Sequence, residues 1–378
     1  MVNAPHRKLL SGNRLLAEGA LDAGCRFFSG YPITPSSEIY ETMMKELPAR
    51  SGLALASPDE ITALAQCVGA SLCGYKAMTA TSGPGWCLMI ETVQYAVMTE
   101  TPVVIAVVQR LGPSTGGATQ GAQGDVLLVE FCTSGGYTLP VFAPATARQS
   151  YELAQAAFHW SERLRTPVVI LSDKEVGMTL ESVDVSSLAR LPVAQRTPFT
   201  GTHGQFLPYA CGCPLEPPTF VALGGEERVV ATGSLHDLAG RLRKNVPEAV
   251  DLLKHLQAKI AAHAEDMAIV EEEPAANAEL LVVSYGISAR AARAACRRLN
   301  REGWRVSFLQ LLTLFPVPSE AIHRAAQGCS SVIVVEENLQ GLYASMLEPI
   351  VGKDRLVRVN GLGNMITPAE IIKVAEAA

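Results

Sequence analysis

The 378-residue chain has no apolar run approaching the roughly 18 to 20 residues that a membrane-spanning helix requires. Its first thirteen residues also lack the apolar segment of a secretory signal peptide. The net charge is only -6 and the basic residues are scattered, so the sequence contains no basic patch of the kind that binds nucleic acid. We therefore expect a cytoplasmic protein that binds neither membrane nor nucleic acid.

Several chemical motifs are also missing. The nine cysteines are odd in number and include no Cys-x-x-Cys, which indicates reduced core thiols, and the seven histidines show no metal-ligand spacing. Gly83-Pro84-Gly85 and Gly361-Leu362-Gly363 begin like dinucleotide fingerprints but lack the third glycine. No P-loop and no nucleophile elbow occur. The sequence predicts no metal site and gives little support for nucleotide binding.

The chain does contain a regular alternation of short β-rich runs and helical patterns. With 48% hydrophobic residues, it is long enough for more than one domain. The predicted strands are 27–29, 53–56, 77–81, 103–108, 140–143 and 167–171, and the predicted helices are 12–23, 36–47, 60–74, 83–98 and 146–164. This alternation predicts parallel strands with helices on both faces.

The pattern breaks near residue 177 and restarts at Leu280. Between them lie a stretch with many prolines and glycines, a charged helix near 246–267, and the acidic run 271–274, which we interpret as a linker. A last helix is predicted to begin with a capping box at Thr367. We predict an α/β protein with two doubly wound, mostly parallel-sheet domains, 1–235 and 279–378, joined by a helical linker, 236–278.

Three loop-to-helix junctions, 31–37, 57–60 and 79–85, each follow a predicted strand. Because the carboxyl ends of parallel strands open at one edge of a sheet, we expect these junctions to form one ligand-binding crevice. Thr34 precedes Pro35, which suits the first position of a helix, so the N–H groups of Ser36 and Ser37 would face a bound anion. Simple N-capping by Thr34 is an alternative that is compatible with this interpretation.

Glu60 and Arg110 are the charged residues best placed for chemistry in this crevice. Ser57-Pro58-Asp59-Glu60 matches a capping box, in which Glu60 would only bond the N–H of Ser57. Alternatively, Glu60 lies at the crevice edge and holds or shares a proton. Arg110 follows the most apolar strand and opens a glycine-rich loop that could close over a substrate. It either clamps a substrate carboxylate or forms a surface salt bridge.

Several strings together resemble the α subunit of 2-oxoacid:ferredoxin oxidoreductases, nearly from end to end. They are Gly12-Asn13, 16–20, 30–36, 59–61, 76–85, 99–102, 109–110, 112–116, 123–125 and 165–168. The Gly-Pro-Ser-Thr-Gly at 112–116 is similar to the 2-oxoglutarate branch. Leu111 and the run 117–119 depart from the usual pattern of the substrate loop, so they bear on the identity of the substrate.

This resemblance implies thiamine diphosphate catalysis by a pyrimidine-binding-like domain and a transketolase C-terminal-like domain. Glu60 would hydrogen-bond N1' of the aminopyrimidine and promote proton removal from the thiazolium, an acid–base role usually worth about 10² to 10⁴ in rate. Arg110 would act with it in catalysis. By the same resemblance, the cofactor-binding residues are Pro32, Glu60, Ser82 and Gly83, and the substrate-binding residues are Thr34, Arg110, Ser114 and Thr115.

The resemblance also implies partners, because parts of the required chemistry are missing from this sequence. Gly124-Asp125 is followed by Val126 rather than glycine, and 160–165 offers no asparagine, so the diphosphate-magnesium motif is incomplete. No cysteine cluster is present to hold an iron–sulfur centre. We expect a β subunit that carries the diphosphate site, Mg²⁺ and a [4Fe-4S] cluster, with ferredoxin as electron acceptor and a γ subunit as a possible further partner. The chain alone is then expected to be inactive.

The implied activity is the oxidative decarboxylation of 2-oxoglutarate to succinyl-CoA, or the reverse, with coenzyme A as cosubstrate. One alternative is the same scaffold acting on pyruvate, a branched-chain 2-oxoacid or oxalate. A second is a docking subunit without a catalytic role. A third is a thiamine enzyme that uses no ferredoxin.

Overall fold

The computed structural model describes residues 6–244 and 246–378. The start of the first predicted domain, residues 1–5, lies outside the described residues. The described strands are β1 Arg7–Ser11, β2 Phe27–Gly30, β3 Leu53–Ala56, β4 Ala77–Thr81, β5 Val103–Gln109, β6 Val141–Phe142, β7 Pro167–Asp173, β8 Leu180–Asp184, β9 Val270–Glu273, β10 Leu280–Tyr285, β11 Val306–Leu311, β12 Thr313–Phe315, β13 Ser331–Glu336 and β14 Leu356–Asn360. The helices are α1 Gly12–Asp22, α2 Ser37–Ala49, α3 Glu60–Leu72, α4 Gly83–Met98, α5 Val126–Glu130, α6 Ala147–Leu164, α7 Lys174–Met178, α8 Pro247–Ala262, α9 Ser288–Arg301, α10 Ser319–Ala325, α11 Leu342–Val351 and α12 Pro368–Ala375.

The first sheet has seven strands in the order β12-β6-β7-β5-β4-β2-β3. All neighbours are parallel except β12, which runs antiparallel to β6. Its central strands β4, β5 and β7 are buried along their whole length, as expected for strands that helices cover on both faces. The order confirms the predicted parallel α/β sheet and places the ends of β2 to β5 at one edge.

The second sheet has five strands in the order β14-β13-β10-β11-β9 and is parallel except for β9. The acidic run 271–273 lies in β9, which pairs with β11, so the interpretation of this run as a linker is wrong. Arg293, Arg297 and Arg324 pair with its glutamates, which explains how three consecutive carboxylates can lie in one edge strand. Charged side chains are also a common protection of exposed sheet edges.

The two sheets face each other through their carboxyl ends. Gln123, from the loop after β5, donates from its backbone N–H to the Glu337 carbonyl at 2.7 Å, and its side chain accepts from the Glu337 N–H at 2.8 Å. Its amide also donates to Asp173, at the end of β7, at 3.0 Å. One hydrophobic cluster contains residues of both sheets, including Val107 of β5 and Leu281 of β10. The loop after β5 is therefore held by both halves of the molecule.

Three further expectations concern the last helix cap, the cysteines and membrane-spanning helices. The capping box at Thr367 is confirmed. All nine cysteines are free, but Cys73, Cys87 and Cys213 are exposed, so the interpretation as core thiols is wrong for these three. Across the described ranges, every helix is either too short or too polar to span a bilayer.

Candidate active site

Glu60 is the first residue of α3, but it does not form the predicted capping box. The N-cap is Asp59, whose carboxylate accepts from the Thr62 N–H at 2.7 Å. The Ser57 N–H donates to the Gly30 carbonyl at 2.9 Å, so it is not available to Glu60. The capping alternative is therefore wrong, because the neighbouring aspartate already provides the cap. The Glu60 carboxyl is free to take another role.

The carboxyl of Glu60 lies against the first turn of α4. A methyl group built on Gly85 would be 2.6 Å from both Cγ and Oε1 of Glu60, and it would also overlap Thr81 Oγ1. Only glycine permits this approach of a buried carboxyl to a helix backbone. The glycines of the Gly83-Pro84-Gly85 turn are thus explained by close packing rather than by nucleotide binding.

Arg110 joins the first junction to the end of β5. Its buried guanidinium donates from Nη1 to the Thr34 carbonyl at 2.6 Å. Among the described residues its side chain makes no ion pair, which excludes the surface salt bridge. Arg110 Nε is buried without a hydrogen-bond partner in the same part of the chain. The structure therefore brings Thr34 and Arg110 together and leaves the buried Nε–H donor of Arg110 unused.

The junction at Thr34 differs from the prediction in its backbone. Helix α2 begins at Ser37, and its N-cap is Ser36. Thr34 is therefore not the cap, and Pro35 is not the first helical residue. The Ser36 N–H donates to the Ile33 carbonyl at 2.9 Å and is not free for an anion. The prediction is wrong for the cap and for Ser36 because the chain makes a turn before the helix starts, and for the Ser37 N–H it stays a prediction. Asn13 fixes this turn by donating to the Pro35 carbonyl at 2.8 Å.

A cavity of about 480 Å³ opens beside this junction, between the loop after β5, the start of α4 and the second sheet. Arg110, Ser114 and Gly83 line it, together with Asp125 and Asn338. Of the other predicted residues, Thr34 contacts Arg110, while Glu60 packs against Gly85 on the same helix turn as Gly83. Ser82 is buried with its Oγ unpartnered within the described residues.

Five of the predicted site residues do not line the cavity: Pro32, Thr34, Glu60, Ser82 and Thr115. Of these, Pro32 and Thr115 are exposed. The roles assigned to them from the resemblance stay predictions.

Beneath the cavity lies a buried polar network that the sequence did not reveal. Gln109 donates to Asp173 at 3.1 Å and accepts from the Asp125 N–H at 3.0 Å. Burial raises the pKa of Asp173 to about 8, although hydrogen bonds from the Ile287 N–H and Gln123 oppose this. The network fixes the loop after β5 on both sides of its glycine-rich tip.

Asp125 is the residue that sequence reasoning missed in this site. In the sequence it belongs to the string 123–125 and to an incomplete diphosphate motif, and in the structure it lines the cavity. The sequence feature that could have identified Asp125 as a site residue is its position at the far end of the substrate loop, two residues after Gln123.

A second buried charge cluster, away from the cavity, was also missed. Lys259 donates to Glu100 at 2.6 Å, and His255 lies 3.1 Å from the same carboxylate oxygen. Burial favours the neutral form of Glu100, but Lys259, His255 and Arg165 together lower its pKa to about 2. Because this cluster joins α8 to the first sheet, we attribute it to stability.

Two family models match the chain. Residues 18–239 match the thiamine diphosphate-binding region of pyruvate flavodoxin/ferredoxin oxidoreductases, and residues 278–371 match core domain II of pyruvate:ferredoxin oxidoreductase.

Similar proteins are found among both characterised sequences and solved structures. The 2-oxoglutarate synthase subunit KorA of Methanothermobacter marburgensis is 36% identical over 367 residues, which cover 96% of each chain. The chain superposes on the 2-oxoglutarate:ferredoxin oxidoreductase of Magnetococcus marinus with a TM-score of 0.92 and 27% identity. The match covers 98% of this chain and 65% of the Magnetococcus chain, whose structure was solved with 2-oxoglutarate, coenzyme A and succinyl-CoA bound. A split-gene transketolase superposes with a TM-score of 0.57 at 14% identity over 98% of both chains, which shows the fold alone.

Proposed function

The chain belongs to the pyruvate flavodoxin/ferredoxin oxidoreductase family, and on that premise we propose that it is the α subunit of a CoA-acylating 2-oxoacid:ferredoxin oxidoreductase. The proposed reaction is oxidative decarboxylation of 2-oxoglutarate to succinyl-CoA, or the reverse. The observation that carries the proposal is the placement of the Glu60 carboxyl on the Gly83–Gly85 turn beside a cavity that contains Arg110. The choice of 2-oxoglutarate is supported by the KorA relative and by the bound molecules of the Magnetococcus enzyme.

The residues present fit the pyrimidine end of thiamine diphosphate. Ser82 Oγ is a buried polar atom without a protein partner among the described residues, and a polar group of the cofactor would satisfy it. The bare backbone of Gly83 is the surface on which the Asp125 carboxyl lies, which keeps this turn tightly packed. When bound, the cofactor supplies a carbon nucleophile and an electron sink. Glu60 would accept a hydrogen bond from the ring nitrogen and hold the proton there, and Pro32 would pack against the cofactor.

Fewer residues fit the metal end of the cofactor. Within the described ranges, the only three His, Cys, Asp or Glu side chains that lie close enough to share an ion are Glu100, Cys211 and His255. Lys259 already occupies the Glu100 carboxylate there, which disfavours a cation. We therefore propose that a β subunit supplies the diphosphate and Mg²⁺ site.

Arg110 is proposed to bind the carboxylate beside the oxo group of the substrate. Its planar fork can donate two parallel hydrogen bonds, and its burial strengthens them because water does not compete. Thr34, Ser114 and Thr115 would complete the substrate site from the two loops on either side of the guanidinium. The loop after β5 would exclude water when it closes over the substrate.

The remaining parts of the complex are proposed by the same reasoning. When CO₂ is lost, the electron pair of the broken C–C bond stays behind, and the β subunit's [4Fe-4S] cluster would pass these two electrons, one at a time, to ferredoxin. A γ subunit is a possible further partner, and a cytoplasmic location remains part of the proposal. The division into a domain at 1–235, a linker at 236–278 and a domain at 279–378 remains a proposal, except that 270–273 belong to the second sheet as β9. The two family models end at 239 and begin at 278, close to the proposed boundaries.

The proposal is tested by Glu60→Gln in the assembled complex, with reduction of a viologen dye by 2-oxoglutarate and coenzyme A as the assay. We expect turnover to fall by about 10² to 10⁴, because the amide cannot hold the proton. Unchanged turnover would favour the docking subunit. Parallel assays with pyruvate, a branched-chain 2-oxoacid and oxalate test the substrate. Partner chains that lack absorption near 400 nm would instead favour a thiamine enzyme without ferredoxin.

A further inference from the structure

The cavity that Arg110 and Gly83 line contains a second charged group for which the proposed reaction has no use so far. Asp125 lines the same cavity as Arg110. Asp125 Oδ2 and Arg110 Nε are both buried, and neither atom has a hydrogen-bond partner within residues 6–244 and 246–378. Buried polar atoms are normally hydrogen-bonded. Because these two atoms have no partner among the described residues and do not bond to each other, both are available to a ligand.

The position of Asp125 is fixed by its surroundings. Its backbone N–H donates to Gln109 Oε1 at 3.0 Å, and Gln109 is itself held by Asp173 at 3.1 Å. Its carboxyl lies over the first residue of α4, since a methyl group built on Gly83 would be 2.6 Å from Oδ2 and 2.8 Å from Oδ1. The carboxyl therefore cannot swing away from the cavity without breaking this arrangement.

The charge balance of the cavity changes when a substrate binds. Without substrate, the Arg110 guanidinium and an ionised Asp125 carboxylate balance each other. A 2-oxoacid whose carboxylate binds Arg110 leaves the Asp125 charge uncompensated in a buried site, which is costly unless the group becomes neutral. A neutral carboxylic acid also gains an O–H that can donate to a substrate oxygen.

We propose that Asp125 takes up one proton when the 2-oxoacid binds and then donates a hydrogen bond to a substrate oxygen, so that substrate binding is coupled to protonation of this residue. This inference rests on the proposed function, because it requires a 2-oxoacid carboxylate at Arg110. It deepens that function by naming a further substrate-binding residue. The proton comes from solvent and returns to it when the product leaves, so no other reactant is needed.

The electrostatics of the free site agree with this assignment. Burial raises the pKa of Asp125 to about 6, and the positive charge of Arg110 opposes the rise. A bound carboxylate would cancel the effect of Arg110 and raise the pKa further. Cys87, on the first turns of α4, is a titratable group close to Asp125, and its pKa is raised by burial and by the Asp125 charge. Gln109 and Gly83 are neutral.

The test measures KM for 2-oxoglutarate between pH 6.5 and 8 in the assembled holoenzyme. If only the protonated acid binds substrate, KM rises by about 20-fold over this range for a pKa near 6. Asp125→Asn, which resembles the neutral acid in shape, is expected to hold KM within about twofold across the same range. The control Asp354→Asn makes the same chemical change at an exposed position, so its KM should depend on pH as the wild-type KM does.

A second readout reports the charge of Asp125 without turnover. In the substrate-free holoenzyme, Asp125→Asn should speed the alkylation of Cys87 by iodoacetamide, followed by peptide mass spectrometry, because the neighbouring negative charge is gone. An Asp125→Asn enzyme that keeps the wild-type dependence of KM on pH, or an unchanged rate at Cys87, would overturn this inference alone. If no 2-oxoacid at all is turned over by the wild-type complex, the proposed function falls as well, so the two failures are distinguishable.

Discussion

Replacing Gly85 with alanine is expected to disable the site while the chain stays folded. The added methyl group would lie 2.6 Å from Cγ and Oε1 of Glu60 and would also overlap Thr81 Oγ1. Overpacking of this kind costs about 1 to 3 kcal/mol, while alanine gains about 1 kcal/mol over glycine inside a helix. The net loss of stability should therefore be at most about 2 kcal/mol. The carboxyl of Glu60 is the movable partner, so it should be displaced.

Displacement of this carboxyl removes the acid–base group and should lower turnover of the assembled complex by about 10² or more. Gly69→Ala is the matched control, because a methyl group at this exposed position of α3 meets no atom within 4 Å. It should leave turnover unchanged and stabilise the chain by about 1 kcal/mol. Dye reduction and chemical unfolding measure the two quantities. Wild-type turnover in Gly85→Ala, with the chain folded, would refute the reasoning that Glu60 acts from this position.

Three further predictions concern the charges of the fold and the site. Glu100→Gln leaves Lys259 and Arg165 as uncompensated buried cations and should lower the free energy of unfolding by about 3 to 5 kcal/mol. The control Glu320→Gln, at an exposed position, should change it little. Equal effects of the two substitutions in chemical unfolding would contradict the stabilising role of the Glu100 cluster. Burial disfavours the charged imidazole of His255, yet hydrogen bonds with Cys211 and Glu100 raise its pKa to about 10. The protonated imidazole therefore stabilises the fold fully below the unfolded pKa of 6.5, and this stabilisation is lost as pH rises through 10. The free energy of unfolding of the wild type should fall from pH 7 to 10, and that of His255→Gln should fall less. Arg110→Lys cannot make the two-pronged contact and should raise KM for the 2-oxoacid by about tenfold or more, so an unchanged KM would argue against a carboxylate at this residue.

The sheets could be predicted because their signals are local. A buried parallel strand is a short apolar run, and a helix that covers it has a period near four residues, so β3, β4 and α4 were predicted with the bounds that the structure has. The convergence of the three junctions followed from the rule that the carboxyl ends of parallel strands share one edge. The contact between Arg110 and Thr34, 76 residues apart, agrees with that rule.

The features that could not be predicted depend on distant partners. The acidic run at 271–273 resembles a linker until Arg293 and Arg324 supply its counter-ions. Gln123 bonds to Glu337 across 214 residues, and no periodicity in the sequence reports such a contact. At Ser57 the error was local, because Ser57 and Asp59 could both cap α3. The Ser57 hydroxyl instead bonds to Ser29 Oγ at 2.7 Å and to Gln66 Oε1 at 2.9 Å.

The central claim is that the Glu60 carboxyl binds the aminopyrimidine of thiamine diphosphate held in part by another subunit. A structure of the assembled complex with the cofactor bound tests it most directly. We predict that ring nitrogen N1' lies within hydrogen-bond distance of Glu60, about 2.7 to 3.2 Å, with the diphosphate on the partner subunit. A cofactor bound entirely by other chains, or with its pyrimidine ring distant from the Gly83–Gly85 turn, would contradict the account.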